Sequence, residues 1–361
     1  MSAYIRGKFL EFCLRKVLLR CGFANVGPED PYIFERPPLL FINGKGAAHD
    51  ADVLMDPPIQ IPFAYPSRIL FECKAFTSKV NLTIVRNASG LRNDLNDFEI
   101  VDIESLRRRQ NNRWADLAIA NRKRYFYQVG VAALRSFTSP AIEFSANNKI
   151  ALFSLEQAFL GSQLLALIEA FPANAEYELG EENYGFLKEL LSLKNDPGGR
   201  EEALLQLLSG FQEIGQIVSE LKMHLDRIHV GVLESGEIVF ITRNLMGVNF
   251  YPEEDPLSSL SGRNLLARIH WNSNNPSLWN LELNNYSPLG GYSFYLPNAI
   301  ANSWARFEDR KAEALNIKAT QFSRIFVFSR KQPENLPFNV ITLDQPWIED
   351  LRRQTRQGHD E

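Results

Sequence analysis

The chain has 361 residues, three cysteines and a formal net charge of −4, with 45% hydrophobic and 23% charged residues. That balance suits a globular protein of two or three domains and excludes a disordered, collagen-like or disulfide-rich chain. No apolar run reaches membrane-spanning length and the N-terminus lacks a signal-peptide core, so no membrane association and a cytoplasmic address are expected, with Cys13, Cys21 and Cys73 as buried thiols.

In chain order, Tyr4 to Arg20 carries Phe9, Phe12, Cys13, Val17 and Leu18 at helical spacing, and Gly22 is a natural stop. Pro28, Pro31, Pro37 and Pro38 confine the next stretch to loop with an edge strand near Tyr32-Ile33-Phe34. Gly44-Lys45-Gly46 is too short for a phosphate-binding loop and reads as a tight turn. His49 is a loop residue, and a short strand begins around Asp50 to Met55 before Asp56-Pro57-Pro58 breaks it.

The stretch Arg68 to Lys74 reads as a buried strand that ends in charge. By alternation Leu70, Glu72 and Lys74 share one face, and Ile69, Phe71 and Cys73 share the other. If the two strands are antiparallel neighbours, Asp52 faces Glu72 across the ladder. Adjacent carboxylates repel, so a proton or a divalent cation is needed between them. Magnesium, with manganese as a substitute, suits Asp52, Glu72 and the Cys73 carbonyl, and leaves Lys74 to orient or activate a water. The alternative is a plain salt bridge at a solvent-facing strand end. Asp50 lies on the same face as Asp52 but precedes the apolar Val53-Leu54-Met55 less closely and reads as a turn residue.

Beyond Lys74, the spacing of Leu82, Val85, Leu91 and Leu95 predicts a helix interrupted near Gly90. Asp102 to Arg124 reads as helix, Tyr125 to Val131 as a strand, Thr138-Ser139-Pro140 as a helix start and Ile150 to Phe153 as another strand. Arg107, Arg108, Arg109, Arg113, Arg122, Lys123 and Arg124 form a basic cluster suited to phosphate contacts, although the whole chain is acidic.

Asp52 followed by Glu72-Cys73-Lys74 resembles the D…ExK motif of the PD-(D/E)xK, or restriction-endonuclease-like, nuclease superfamily. Gly7-Lys8-Phe9-Leu10-Glu11-Phe12 is similar to the opening helix of its Mrr-like branch, and Phe137 to Ser145 followed by Ile150 to Phe153 is similar to that branch's late helix and last core strand. The proline common before the first aspartate is missing, and the separation of Lys74 from Phe137 is long. The resemblance covers the first two-fifths of the chain. It implies a role for Glu11 in completing the metal site, and host defence as a restriction or antiviral nuclease.

Further on, helices are expected over Leu155 to Phe171, Asn183 to Leu193 and Glu201 to Leu225, the last with a one-sided apolar stripe suited to a connector or a dimer helix. His229 to Leu233 and Glu237 to Ile241 flank Glu234-Ser235-Gly236 as a hairpin. A loop region containing Trp271, Trp279, Asn280, Asn284 and Asn285 comes next, suited either to base contacts or to ordinary turns. Ala299 to Leu315 reads as helix, and Ile325 to Phe328 and Phe338 to Ile341 as strands.

The expected fold class is α/β: a restriction-endonuclease-like mixed sheet flanked by helices over 1–154, a helical connector over 155–226, and a second small α/β (α+β) domain for recognition or regulation over 227–361. The expected function is a metal-dependent deoxyribonuclease with Asp52, Glu72, Lys74 and Glu11 as catalytic residues, acting on double-stranded DNA as a homodimer. The alternatives are a DNA-binding module without catalysis, and a nuclease that acts on RNA or is gated by a signalling ligand.

Overall fold

The first helix is enclosed on most sides, and its charged Lys8, Glu11 and Arg15 are buried with its apolar residues. In the computed structural model, which describes residues 2–29, 32–36, 39–60, 65–97, 125–157, 161–192, 199–234, 236–243, 255–259, 263–271, 278–285, 291–297, 300–301, 310–328 and 338–357, α1 spans Ser2–Arg20. Ile5, Phe9, Leu10, Phe12, Leu14, Val17 and Leu18 are all buried. It stops at Gly22, whose φ of 87° is left-handed; the Gly22 and Phe23 amides donate back to the Leu19 and Leu18 carbonyls at 3.0 and 3.1 Å.

Strands β1 (Ala24–Asn25), β2 (Ile33–Arg36), β3 (Leu39–Asn43), β4 (Ala48–Asp50), β5 (Val53–Asp56), β6 (Ser67–Lys74), β7 (Phe126–Ala133) and β8 (Ala151–Ser154) form two sheets. The main sheet has the order β1-β5-β6-β7-β8, antiparallel from β1 to β6 and parallel from β6 to β8; β2, β3 and β4 make a small antiparallel meander. Parallel neighbours require crossovers, and these contain α2 (Leu82–Asn96) and α3 (Ser139–Asn148). Alternation divides each central strand between two layers. Val53, Met55 and Phe71 pack with α1, whereas Leu54, Leu70, Val129 and Val131 pack with α2 and α3.

Helix α2 is continuous through Gly90, contrary to the expected interruption. The glycine's Cβ position is open space, and its helix cost of about 1 kcal/mol is offset by burial of Val85, Ala88, Leu91 and Leu95 on the opposite side. On β7, the Phe71 ring lies over Gly130 so closely that an added Cβ would meet it at 2.6 Å.

A short turn at Leu155–Gln157 precedes α4 (Gly161–Ser192), in which two helices, as the sequence leads one to expect, meet at Gly180, whose backbone is not helical (φ 62°, ψ −174°). The single helix expected over Glu201 to Leu225 is instead α5 (Arg200–Leu208) and α6 (Gln212–Leu225), because Phe211 is extended (φ −88°, ψ 134°) after Ser209-Gly210. The stripe of α6, Ile214, Ile217, Leu221 and Leu225, is buried within the chain against α1 and α4. The Phe9 and Phe171 rings stack at 4.0 Å at the centre of this cluster.

The remaining strands, β9 (Ile228–Leu233), β10 (Ile238–Arg243), β11 (Asn264–Trp271), β12 (Leu278–Leu283), β13 (Gly291–Tyr295), β14 (Arg324–Phe328) and β15 (Phe338–Leu343), close into a barrel. Only β11 and β15 pair in parallel within it. Alternate residues such as Val239, Ile241, Leu281, Phe294 and Ile325 fill it, and Ile317 of α8 (Arg310–Gln321) and Ile348 of α9 (Gln345–Gln357) pack against this core; α7, Pro256–Ser259, is one turn. The expected loop around the tryptophans is corrected here. Trp271 ends β11, and Trp279 and Asn280 lie in β12, with Trp279 fully buried and Asn280 accepting a hydrogen bond from Ser293 at 2.6 Å. The fold class is α/β.

Candidate active site

Val53, Leu54 and Met55 are buried and fix β5 against β6 in the register Val53 to Phe71, Leu54 to Leu70 and Met55 to Ile69. Continuing that register by one residue sets Asp52 opposite Glu72. The ladder stops at Val53, and the Asp52 carboxylate supplies the next acceptor: Oδ2 receives the Cys73 backbone N–H at 2.8 Å. Cys73 thus helps to hold the first aspartate. Two residues apart on β6, Glu72 and Lys74 pair at 3.3 Å with side chains 18% and 25% exposed, so both groups stay within reach of solvent.

Glu11 is placed by α1 and is 5% exposed. Both of its oxygens lie 2.9 Å from the Lys8 ammonium, which is itself buried. Burial alone would pull Lys8 down, but the charges of Glu11, then Asp52 and Asp50, outweigh it and hold this ammonium above its ordinary value. One α1 residue therefore sits within the field of three carboxylates. Asp50 is exposed on β4. Arg15, further along α1, is also buried and lies 3.8 Å from Glu201 of α5, which Lys16 contacts too.

Lys8 is the site residue that sequence reasoning missed. The available signal was the spacing in α1: a lysine three residues before a glutamate, on a helix whose Phe9, Phe12, Val17 and Leu18 mark it for burial, can pair with that glutamate indoors. His49 is a strand residue of β4, not a loop residue, and its Nε2 lies 2.7 Å from Asp94. That hydrogen bond, with one from the Gly46 amide, holds Asp94 below the usual carboxylate range. The basic cluster Arg107, Arg108, Arg109, Arg113, Arg122, Lys123 and Arg124 lies outside the described residues.

Among the described residues no group of three His, Cys, Asp or Glu is placed to hold a metal ion. The donors at the strand ends are two hard carboxylates on facing positions, Asp52 and Glu72. That set does not fit an all-protein cage, but it fits magnesium, which is commonly held by one or two carboxylates with water and substrate oxygens completing its shell.

A second concave feature lies behind the same strand. A cleft of about 850 Å³ runs between the sheet and the barrel, with Ile69, Phe71 and Gln128 on one side and Glu237, Asn316 and Thr320 on the other. Inside the barrel, His229 and Tyr292 both bond to Asp255, at 2.7 and 2.6 Å. Burial would raise the Asp255 carboxyl, but these two partners hold it well below the usual range.

No protein-family description matches the chain, and no curated protein matches it. Among solved structures, the crystal structure of a protein of unknown function, AF1548, is similar at 13% identity and a TM-score of 0.31, covering 60% of this chain and 97% of that one. A likeness of that size carries no argument about function. No helix among the described residues is long and apolar enough to cross a membrane.

Proposed function

We propose that the chain is a magnesium-dependent nuclease of the PD-(D/E)xK type that hydrolyses phosphodiester bonds in double-stranded DNA, working in defence against foreign DNA. The observation that carries this reading is the juxtaposition of Asp52 with Glu72 by strand register, together with Lys74 at 3.3 Å from Glu72. Counting the main sheet alone, the order helix α1, strands β1, β5 and β6, helix α2, strand β7 around that site supports it further.

In this reading Asp52 and Glu72 hold the cation, and the Cys73 amide keeps Asp52 in place. Bound magnesium supplies positive charge at the phosphoryl oxygen and makes a water more acidic. Lys74 orients that water in line with phosphorus. As the water's oxygen bonds to phosphorus it gives up a proton to solvent, one P–O bond to a sugar breaks, and the leaving oxygen takes a proton from solvent. The basic residues from Arg107 to Lys123 and Arg124 are assigned to phosphate contacts, and cutting of both strands is assigned to a homodimer.

Ligand gating is a second reading favoured by the cleft, because its occupant would touch Ile69 and Phe71 of the strand that carries Glu72 and Lys74. The deciding experiment incubates the purified chain with plasmid, linear duplex, single-stranded DNA and RNA, with magnesium or with chelator. Cleavage of duplex DNA that chelator stops is the expected outcome. No cleavage of any of the four under either condition counts against the nuclease reading.

A further inference from the structure

The buried ammonium of Lys8 is paired with Glu11, and the charges of Asp52 and Asp50 act on it from further off. Resting on the nuclease reading, we propose that Lys8 is a positioning residue occupying the seat a second divalent cation would need, so that the centre binds one metal ion and Glu11 is not a ligand.

The geometry of the pair is the first argument. Lys8 Nζ lies 2.9 Å from both Glu11 oxygens, which is the two-pronged position a bidentate cation would take. An ammonium and a divalent ion cannot share it. The second argument is desolvation. Lys8 and Glu11 are 8% and 5% exposed, and separating a buried pair leaves each charge uncompensated. Recruiting Glu11 to a metal would therefore have to break this pair and displace Lys8.

The third argument is charge. Asp52 and Asp50 are close enough to act on the same ammonium. Lys8 therefore reduces the mutual repulsion of the acids before any metal arrives, and it repels a second cation afterwards. Asp52 is held from two sides, by the Cys73 amide and by this field. Lys8 is largely enclosed, its side chain 10% exposed.

The test counts manganese ions bound to the full chain by titration calorimetry, with circular dichroism to check folding. The unaltered protein and Glu11→Gln should each bind one ion. Lys8→Met should bind two, and Lys8→Met/Glu11→Gln should return to one. Two ions in the unaltered protein, with one lost in Glu11→Gln, would overturn the proposal. So would a folded Lys8→Met that still binds one. If Lys8→Met does not fold, the Glu11→Gln comparison decides alone: a lost ion overturns the proposal, and a retained one supports it. If the unaltered protein binds no manganese and cuts no nucleic acid, the nuclease reading falls, and this proposal with it. If it binds manganese and cuts, failure of the Lys8 arms overturns this proposal only.

Discussion

Asp52 accepts the backbone N–H of Cys73 at the point where β5 and β6 stop pairing. A carboxylate here does two jobs that can be separated. Asp52→Asn keeps an oxygen for the Cys73 amide, so stability should change by less than about 1 kcal/mol. Cleavage loses a metal ligand worth several kcal/mol in the transition state and should fall on the order of 10³-fold. Thermal unfolding beside plasmid cleavage checks both, and a large loss of stability with activity retained would reverse the assignment.

Glu72 and Lys74 should differ in what they remove. Their pair is partly open to solvent, so losing it costs about 0–1 kcal/mol of stability in either variant. Glu72→Ala should abolish manganese binding as well as cleavage. In Lys74→Ala, manganese should still bind while cleavage falls by orders of magnitude. A simple strand-end salt bridge would give small, matched stability losses and no effect on cleavage.

Arg68 is a structural counterpart to the site at the other end of β6. It is 1% exposed, bonds Glu29 at 2.6 and 3.0 Å and Asp56 at 2.9 Å, and stacks on Tyr125 at 3.5 Å. Arg68→Leu leaves two acids without their cation, but the side chains of Glu29 and Asp56 are 40% and 35% exposed and can be solvated in part. The expected loss is near the lower end of the buried-pair range, about 3 kcal/mol. A denaturant midpoint measures it; an unchanged midpoint would show that the cluster is energetically idle.

Lys318 gives a pH signature. Burial pushes its ammonium down to about 8, with the Trp347 and Trp279 faces at 4.7 and 6.0 Å. In the unfolded chain the lysine titrates at about 10.4. Between those values the unfolded chain holds a proton that the folded chain has released, so stability should rise with pH from about 8 to about 10. Lys318→Met should be more stable than the unaltered protein at pH 7, and that advantage should shrink across this window. Unfolding curves at several pH values test it, and parallel curves for the two proteins would contradict it.

The parts of the fold legible in the sequence are those set by local pattern. Phe9, Phe12, Cys13, Val17 and Leu18 mark α1, and each is buried. Strict alternation in Arg68 to Lys74 separates the Leu70 layer from the Phe71 layer, and the hairpin at Gly236 pairs β9 with β10. Barrel closure was not legible because it depends on distant pairings, β9 with β14 and β11 with β15, that leave no local trace. The asparagines near Trp279 looked like a loop because turn formers and strand residues alternate there; the barrel's demand for a large interior side chain decides for strand. Asp52, Glu72 and Lys74 were readable as types at a spacing. Lys8 was not, since an enclosed lysine and a solvated one look alike in one dimension.

The apolar cluster around α1 also has a consequence for how the chain is made. Cys21 Sγ contacts the Ile228 carbonyl at 4.0 Å, 207 positions later, and Arg20 reaches the Leu225 carbonyl at 2.8 Å. At synthesis rates of roughly 5–20 residues per second, α1 leaves the ribosome roughly 10–40 seconds before α6 and β9 exist to cover it. Until then Phe9, Phe12 and Leu18 have only the first sheet and, once it emerges, α4 with Phe171 to rest on. The nascent chain should therefore be a chaperone client, and fragments that end before residue 225 should aggregate when expressed.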